Sequence, residues 1–500
     1  MSVMTELARL RATATAEAEP VTTVRHVHLE AEPFVLVPLT LAGEACAPLA
    51  VLAGTDPATP TLLTVHQPRD RAERFRFVER LAGLLLPHLN ERLADTETYV
   101  TGAAKEEKSR ALLAPQLIVP NGEGIGWLGR LGRLTRLRAV EGPYAVSPDV
   151  VLLGKWLTWF KDRSELPGTT VLMAMTRMLA GHWATGRSSA EDSHLASLLA
   201  WIAPPAGLTG AAAARASEDP ALFPPAGPAT DPVFDATTLQ GLMAGYDEAA
   251  NDRARQGFAR EMDRELMGQV LPTWGAVWRG IELLHELPEG GHVAERRQRD
   301  RTAFSAYGAY LVEDGRPQGR RDQAVGAARR LAGLEEAEQL YQVQRAFDDP
   351  LVMAEYELTG EAFTGVVVGR DPDRLDDSGG RPKRRPTVTL RVTELPRVSV
   401  SAVVRSPARR GHPAEVKAIS PAGRGGFEVL LEITGGLGRG YRQPLPPGTV
   451  PEFGEELTFT TLDPAQHPSR LPATENTPWT HGGPPQPYEP TADDAEEVWA

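Results

Sequence analysis

Among 500 residues there is one cysteine, Cys46. That excludes an intramolecular disulfide and any multi-cysteine metal site, and it points to a reducing, cytoplasmic setting. Long apolar runs are missing as well. The richest, around Leu84–Leu86 and Val150–Leu153, fall far short of the ~18 residues of a membrane-spanning helix. Met1–Pro20 is rich in Ala, Thr and Glu and lacks the apolar core of a signal peptide. No P-loop, G-x-S-x-G elbow, H-E-x-x-H helix or kinase signature set is present. No repeat of roughly 20–50 residues recurs. These absences point to no cofactor, no metal, no membrane partner and no catalytic residue. An enzyme with an unrecognised site in the N-terminal domain stays open as a minor reading.

What is present is an ordinary globular composition, 41% hydrophobic and 24% charged, with 43 prolines and 47 glycines. Such a length implies about two to four domains, and the Pro and Gly content implies long connections. The abundance of Ala, Arg, Gly and Pro also fits a GC-rich genome, which carries no functional content.

The expected fold class is multi-domain α+β. Residues 1–20 read as a disordered N-terminus and 21–145 as a mixed α+β domain. In the latter, Phe34–Leu41, Pro48–Ala53 and Thr61–His66 are strand-like, while Phe75, Val78, Leu81, Ala82 and Leu85 recur at helical spacing. Residues 146–203 read as a helical segment, opened by Ser147-Pro148 and carrying a capping-box spacing at Ser188 and Glu191. A Pro/Ala/Gly-rich linker or surface-wrapping segment follows at 204–237, then a helical domain at 238–355.

Residues 356–463 read as a small, basic, OB- or SH3-like β-barrel built from six runs: Phe363–Val368, Thr387–Thr393, Val398–Val404, Glu415–Ile419, Phe427–Thr434 and Glu456–Thr461. Three runs alternate apolar and polar side chains: Val388/Leu390/Val392, Val398/Val400/Ala402 and Phe427/Val429/Leu431/Ile433. A lone sheet of that size would expose its edges, so closure is expected. Residues 464–500 read as a disordered acidic tail.

Charge is the strongest functional signal. Between Ser378 and Val450 stand thirteen basic residues and four acids, a net +9 in a chain of net −13, which leaves −22 for the remainder. Segregation of that size suits a polyanion. Eleven of the thirteen are arginines, whose planar fork matches phosphate oxygens. The candidate nucleic-acid-binding residues lie in the expected loops: Arg381, Lys383, Arg384, Arg385, Arg409, Arg410, Arg424, Arg439 and Arg442, with Tyr441 as a stacking surface. From Leu471 to Ala500 there are six acids and no Lys or Arg, ending at Trp499, a composition suited to recruiting a partner protein. The expected function is therefore a non-enzymatic accessory or adaptor that binds DNA or RNA backbone through the barrel and a partner protein through the rest. The competing expectation is a protein–protein scaffold whose basic module docks on an acidic surface.

Other candidates carry less. Gly124-Ile125-Gly126-Trp127-Leu128-Gly129 matches G-x-G-x-x-G, with Glu141 seventeen residues beyond Gly124, but no βαβ unit is evident around it. Arg130, Arg133, Arg136 and Arg138 interleave with leucines as an amphipathic element. His26 and His28 would share one face of a strand, which suits a metal only with a third ligand. Glu44, Asp56 and His66-Gln67 have carboxylates and an imidazole but no lysine for a metal-dependent nuclease centre. His182 reads as a capping or core histidine, and Cys46 as a small buried hydrophobe.

Overall fold

The computed structural model describes residues 3–44, 47–100, 105–220, 223–224, 227–313, 315–319, 324–377, 382–423, 425–438, 445–465, 471–473 and 476. The protein is mixed α+β, and its contacts group into two compact units. The larger contains Thr5–Val21 and Arg25–Glu338, and the smaller contains Thr22–Val24 and Gln339–His467.

The chain begins with helix α1 (Val3–Thr15), where a disordered N-terminus was expected. Its residues are mostly good helix formers (Met, Glu, Leu, Ala, Arg), which supply the propensity that a signal-peptide reading overlooks. Strands β1 (Phe34–Thr40), β2 (Pro48–Gly54) and β3 (Thr61–Thr64) then form an antiparallel meander. After helix α2 (Arg71–Ala94), strand β4 (Leu117–Val119) pairs parallel to β1. Helices α3 (Gly122–Thr135) and α4 (Pro148–Arg163) lead to β5 (Leu172–Ala174), parallel to β4. The sheet order is β3-β2-β1-β4-β5.

All seven residues of β1 are buried, because both faces of the sheet are covered. Phe34, Leu36, Val51 and Ala53 pack on one side with α2, α3 and α4. Val35, Val37, Leu39 and Leu52 pack on the other, with α5 (Met175–Ala180), α6 (Leu195–Ile202) and the Leu266–Val277 stretch of a 34-residue helix further on. The helical periodicity seen between Arg69 and Asn90 is α2, and Phe75, Val78, Leu81, Ala82 and Leu85 are all buried there. Ser147 caps α4 with Pro148 in its first turn. The Ser188/Glu191 capping box forms reciprocally: Ser188 N–H donates to Glu191 Oε2 at 2.8 Å, and Glu191 N–H to Ser188 Oγ at 3.3 Å. It opens a 3-10 turn, while α6 itself is capped by His194, whose Nδ1 accepts from Ser197 N–H.

Within 204–237, helix α7 (Gly210–Ala216) forms, and Thr40 N–H, at the end of β1, donates to the Pro228 carbonyl. Residues 228–230 thereby lie against the end of β1. Helices α8 (Asp252–His285) and α9 (Val293–Val312) follow in the larger unit; Phe304 of α9 joins the core beneath α4. The next helix, α10 (Ala324–Asp348), contains the boundary between the units, and α11 (Pro350–Thr359) follows with Asp349 as its cap.

The smaller unit is built on a six-stranded antiparallel sheet: β6 (Ala362–Asp371), β7 (Thr387–Val392), β8 (Val403–Val404), β9 (Ala414–Pro421), β10 (Phe427–Ile433) and β11 (Glu456–Thr460). The order is β8-β9-β10-β7-β6-β11. Its two edges are joined by one antiparallel bridge, in which Arg405 and Thr460 exchange N–H···O=C bonds at 2.8 Å, so the sheet is nearly closed into a barrel. Inward-facing Val388, Leu390, Val392, Val429, Leu431 and Ile433 form its core, in the alternation the sequence implies. One run departs from it. Of Val398–Val404 only the last two residues are strand, and Val400 is 56% exposed while Val398 is buried. Ser401 has φ +71°, a left-handed conformation that breaks the alternation.

Candidate nucleic-acid interface

Five of the nine candidate basic residues are described; Arg381, Arg424, Arg439 and Arg442 lie outside the described residues, as do Tyr441, Cys46 and Trp499 with the end of the acidic tail. Lys383 and Arg384 sit on a two-residue strand paired antiparallel with Leu375–Asp376, a small arm separate from the barrel sheet. Lys383 is exposed and Arg384 half-buried.

The other three are engaged within the unit. Arg385 donates to the Thr434 carbonyl at 3.2 Å, with its Nε 3.9 Å from Glu432. Arg409 donates through one Nη2 to both oxygens of Glu455, each at 2.7 Å, and through Nη1 to the Gly448 carbonyl. Arg410 reaches Asp348 at 3.0 Å. Arginines of the same cluster outside the candidate set behave alike: Arg391 pairs with Glu428 and Arg405 with Asp463. Glu432, 6% exposed, is a hub that also draws Arg374 and Lys417.

The charge balance changes accordingly. Between 339 and 467 the sequence has sixteen basic and seventeen acidic residues. The +9 of Ser378–Val450 is local, and acids just outside that window, Asp348, Glu455 and Asp463, neutralise part of it. A window drawn on sequence missed them because their partners lie 46 to 62 residues away.

The remaining candidates resolve into structural roles. The glycine motif opens α3 directly after β4, and β4–α3–α4–β5 is a βαβ unit after all, which the three-residue strands and doubled crossover helices hid from pattern reading. Two of its glycines serve packing: a Cβ on Gly124 would touch Val119 at 3.0 Å, and one on Gly129 would meet Lys161 at 2.6 Å, whereas one on Gly126 would meet nothing within 4 Å. In the order β3-β2-β1-β4-β5 the chain leaves β1 toward β2 and β3 and returns on its other side for β4 and β5, so the strand order reverses between the parallel neighbours β1 and β4. Arg136 is 2% exposed and donates to the Gln318 carbonyl at 2.8 Å, and burial is the chief cause lowering the Arg138 pKa.

His26 and His28 diverge. His26 stacks on His182 with ring centroids 6.0 Å apart, whereas His28 lies 3.4 Å from both Glu30 and Glu289. His182 is a core histidine: its Nδ1 lies 2.6 Å from the Met178 carbonyl and its Nε2 accepts from His26 N–H, which fixes the Nδ1–H tautomer. Asp56 accepts from Ala58 N–H and the Thr59 hydroxyl within its own turn, Glu44 pairs with Arg69, and His66 pairs with Asp263 at 2.9 Å. Asp56 is thus engaged within its own turn, and Glu44 and His66 with residues distant in sequence.

No helix among the described residues is long and apolar enough to cross a membrane. The protein is thus an α+β chain in which a mixed five-stranded sheet covered on both faces precedes a small antiparallel barrel. Comparison with protein-family models, with curated proteins and with solved structures finds no match to it.

Proposed function

We propose that this chain is a non-enzymatic, cytoplasmic, nucleic-acid-associated accessory protein that contacts DNA or RNA backbone through its barrel unit and a partner protein through the rest. The observation that carries this reading is the arm at Leu375–Asp376 and Lys383–Arg384, which holds an exposed lysine beside Arg384 at the start of the basic stretch. A small antiparallel barrel of the OB- or SH3-like kind, bearing a basic arm, is a common platform for backbone contact, by analogy of architecture. Beside the engaged Arg385, Arg409 and Arg410, the exposed Lys383 is the described candidate that supports this contact, and Arg381, Arg424, Arg439 and Arg442 stay candidates by sequence alone.

The test is fluorescence anisotropy of the full chain on single- and double-stranded oligonucleotides, with Lys383→Glu/Arg384→Glu as the variant. Binding that weakens with salt and falls about tenfold in the variant is expected, since displaced counterions supply most of the drive. Absence of binding at low salt overturns the reading.

A second reading rests on the same exposed Lys383, which suits a carboxylate on an acidic protein surface as well as a phosphate. Co-purification of an acidic protein together with a low absorbance ratio at the nucleic-acid wavelength would favour this scaffold role.

A further inference from the structure

The barrel unit contains a half-open cleft of about 420 Å³, lined by the end of α10, by α11, by β6 and β11 and by the turn at Ser406–Ala408. That volume lies within the usual range for small-molecule sites, ~300–1,000 Å³. We propose that this cleft binds a small aliphatic cation, an alkylammonium or alkylguanidinium. The inference goes beyond the nucleic-acid reading and is independent of it, because the cleft lining shares no residue with the basic candidates.

The argument begins with sign. Four carboxylates line the cleft, and no Lys or Arg does. Two of the four are already used: Asp348 by Arg410, and Asp349 by Thr23 N–H at 2.6 Å, the Thr23 hydroxyl at 3.0 Å and Leu351 N–H at 2.9 Å. Glu357 and Glu456 have no cationic partner among the described residues, and both are exposed at the rim.

Hydrogen-bond direction sharpens the case. The Thr364 hydroxyl donates to Glu357. Having spent its proton there, it accepts from Thr458, 2.6 Å away on the neighbouring strand. Both hydroxyl protons therefore point toward Glu357, and the Thr458 oxygen keeps its lone pairs. Such a chain stabilises negative charge and offers acceptors to a ligand that brings donors.

Two further features are independent of the acids. Ser406 is fully buried in the lining, and its hydroxyl has no hydrogen-bond partner among the described residues. A buried, unsatisfied hydroxyl is rare enough to need a reason, and a ligand donor or bound water is the usual one. Phe347, Met353, Pro407 and Leu457 supply an apolar wall. A methylene stem against that wall with its charged head at the rim is the arrangement in which amphipathic cations bury.

The test is calorimetric titration of the full chain with cadaverine and with agmatine at low salt, with adipate as the oppositely charged control. Saturable binding of at least one cation and none of adipate is expected. Glu357→Gln and Glu456→Gln should each weaken it about tenfold, while Glu394→Gln, in a barrel loop outside the cleft, leaves it unchanged. Circular dichroism melts establish that each variant is folded, and Glu456→Gln, on an exposed strand position, keeps the test valid should Glu357→Gln unfold. Absence of saturable binding by either cation, wild-type affinity in both cleft variants, or adipate binding as tight as cadaverine overturns the proposal.

Discussion

Asp300 is 1% exposed, yet its carboxylate is surrounded by donors: Thr170 N–H at 2.7 Å, the Thr169 and Thr170 hydroxyls at 2.8 and 3.0 Å, and Arg163 Nη2 at 3.2 Å. A buried charge is tolerated only with this degree of satisfaction, and truncating it strands the partners. Asp300→Ala is expected to cost ~3–5 kcal/mol of unfolding free energy, read from urea denaturation; a loss below ~1 kcal/mol would contradict the structural role. Nearby, burial pushes the Glu30 carboxyl up, but His28 and Arg297 outweigh it and hold the pKa at about 2. Burial, then Arg92, pushes the His88 imidazole down to about 4. Both groups bind more protons in the unfolded chain over their windows, so both favour the native state at neutral pH. The His88 contribution is present above pH 6.5 and is lost as pH falls toward 4. That of Glu30 is present above 4.5 and is lost toward 2. Urea midpoints should therefore fall in two stages on acidification, and His88→Leu should flatten the first stage alone. An unchanged slope between pH 6.5 and 4 in that variant would refute the assignment.

Among the elements, the α3–α4 pair depends on the absence of side chains. A Cβ on Gly154 of α4 would lie 2.5 Å from Arg136 N, and one on Gly132 of α3 would lie 2.8 Å from Thr158 N. Backbone cannot retreat as a flexible side chain can, so Gly154→Ala is expected to cost ~1–3 kcal/mol despite the better helix propensity of alanine. A thermal melt of the variant at or above wild type would rule out the close contact. This pair also shows what sequence reading reaches and what it does not. Strands β7 and β10 were legible because their side chains alternate with period two, β6, β9 and β11 as strand-length runs set between Gly, Pro and charged residues, and α2 because its buried face repeats at helical spacing. The run at Val398–Val404 misled because the left-handed backbone of Ser401 has no signature in a serine codon. The βαβ unit stayed hidden because β4 and β5 are three residues each, too short for any periodicity. Candidate site residues were legible by charge but not by commitment: which arginines already hold a carboxylate depends on contacts that only the closed barrel creates.

For the whole molecule, charge decides how strongly the barrel unit senses a distant polyanion. With sixteen basic and seventeen acidic residues between 339 and 467, its net charge gives little long-range attraction, and binding depends on the few cations outside internal pairs. The salt dependence of nucleic-acid binding is then expected to be shallow. The slope of log K against log salt is about −0.9 per phosphate neutralised, so a contact confined to the arm and its neighbours gives a slope of about −2 to −5. A slope steeper than about −8 would show that the paired arginines open to engage phosphate. The bridge between Arg405 and Thr460 has a separate consequence. Antiparallel sheets ordinarily offer a row of unsatisfied amides to any passing extended chain, and here the ends of that row are turned on each other. With that rung taken, a partner strand finds a shorter ladder to extend at this end of the barrel sheet, which lessens the edge-to-edge pairing that open sheets invite.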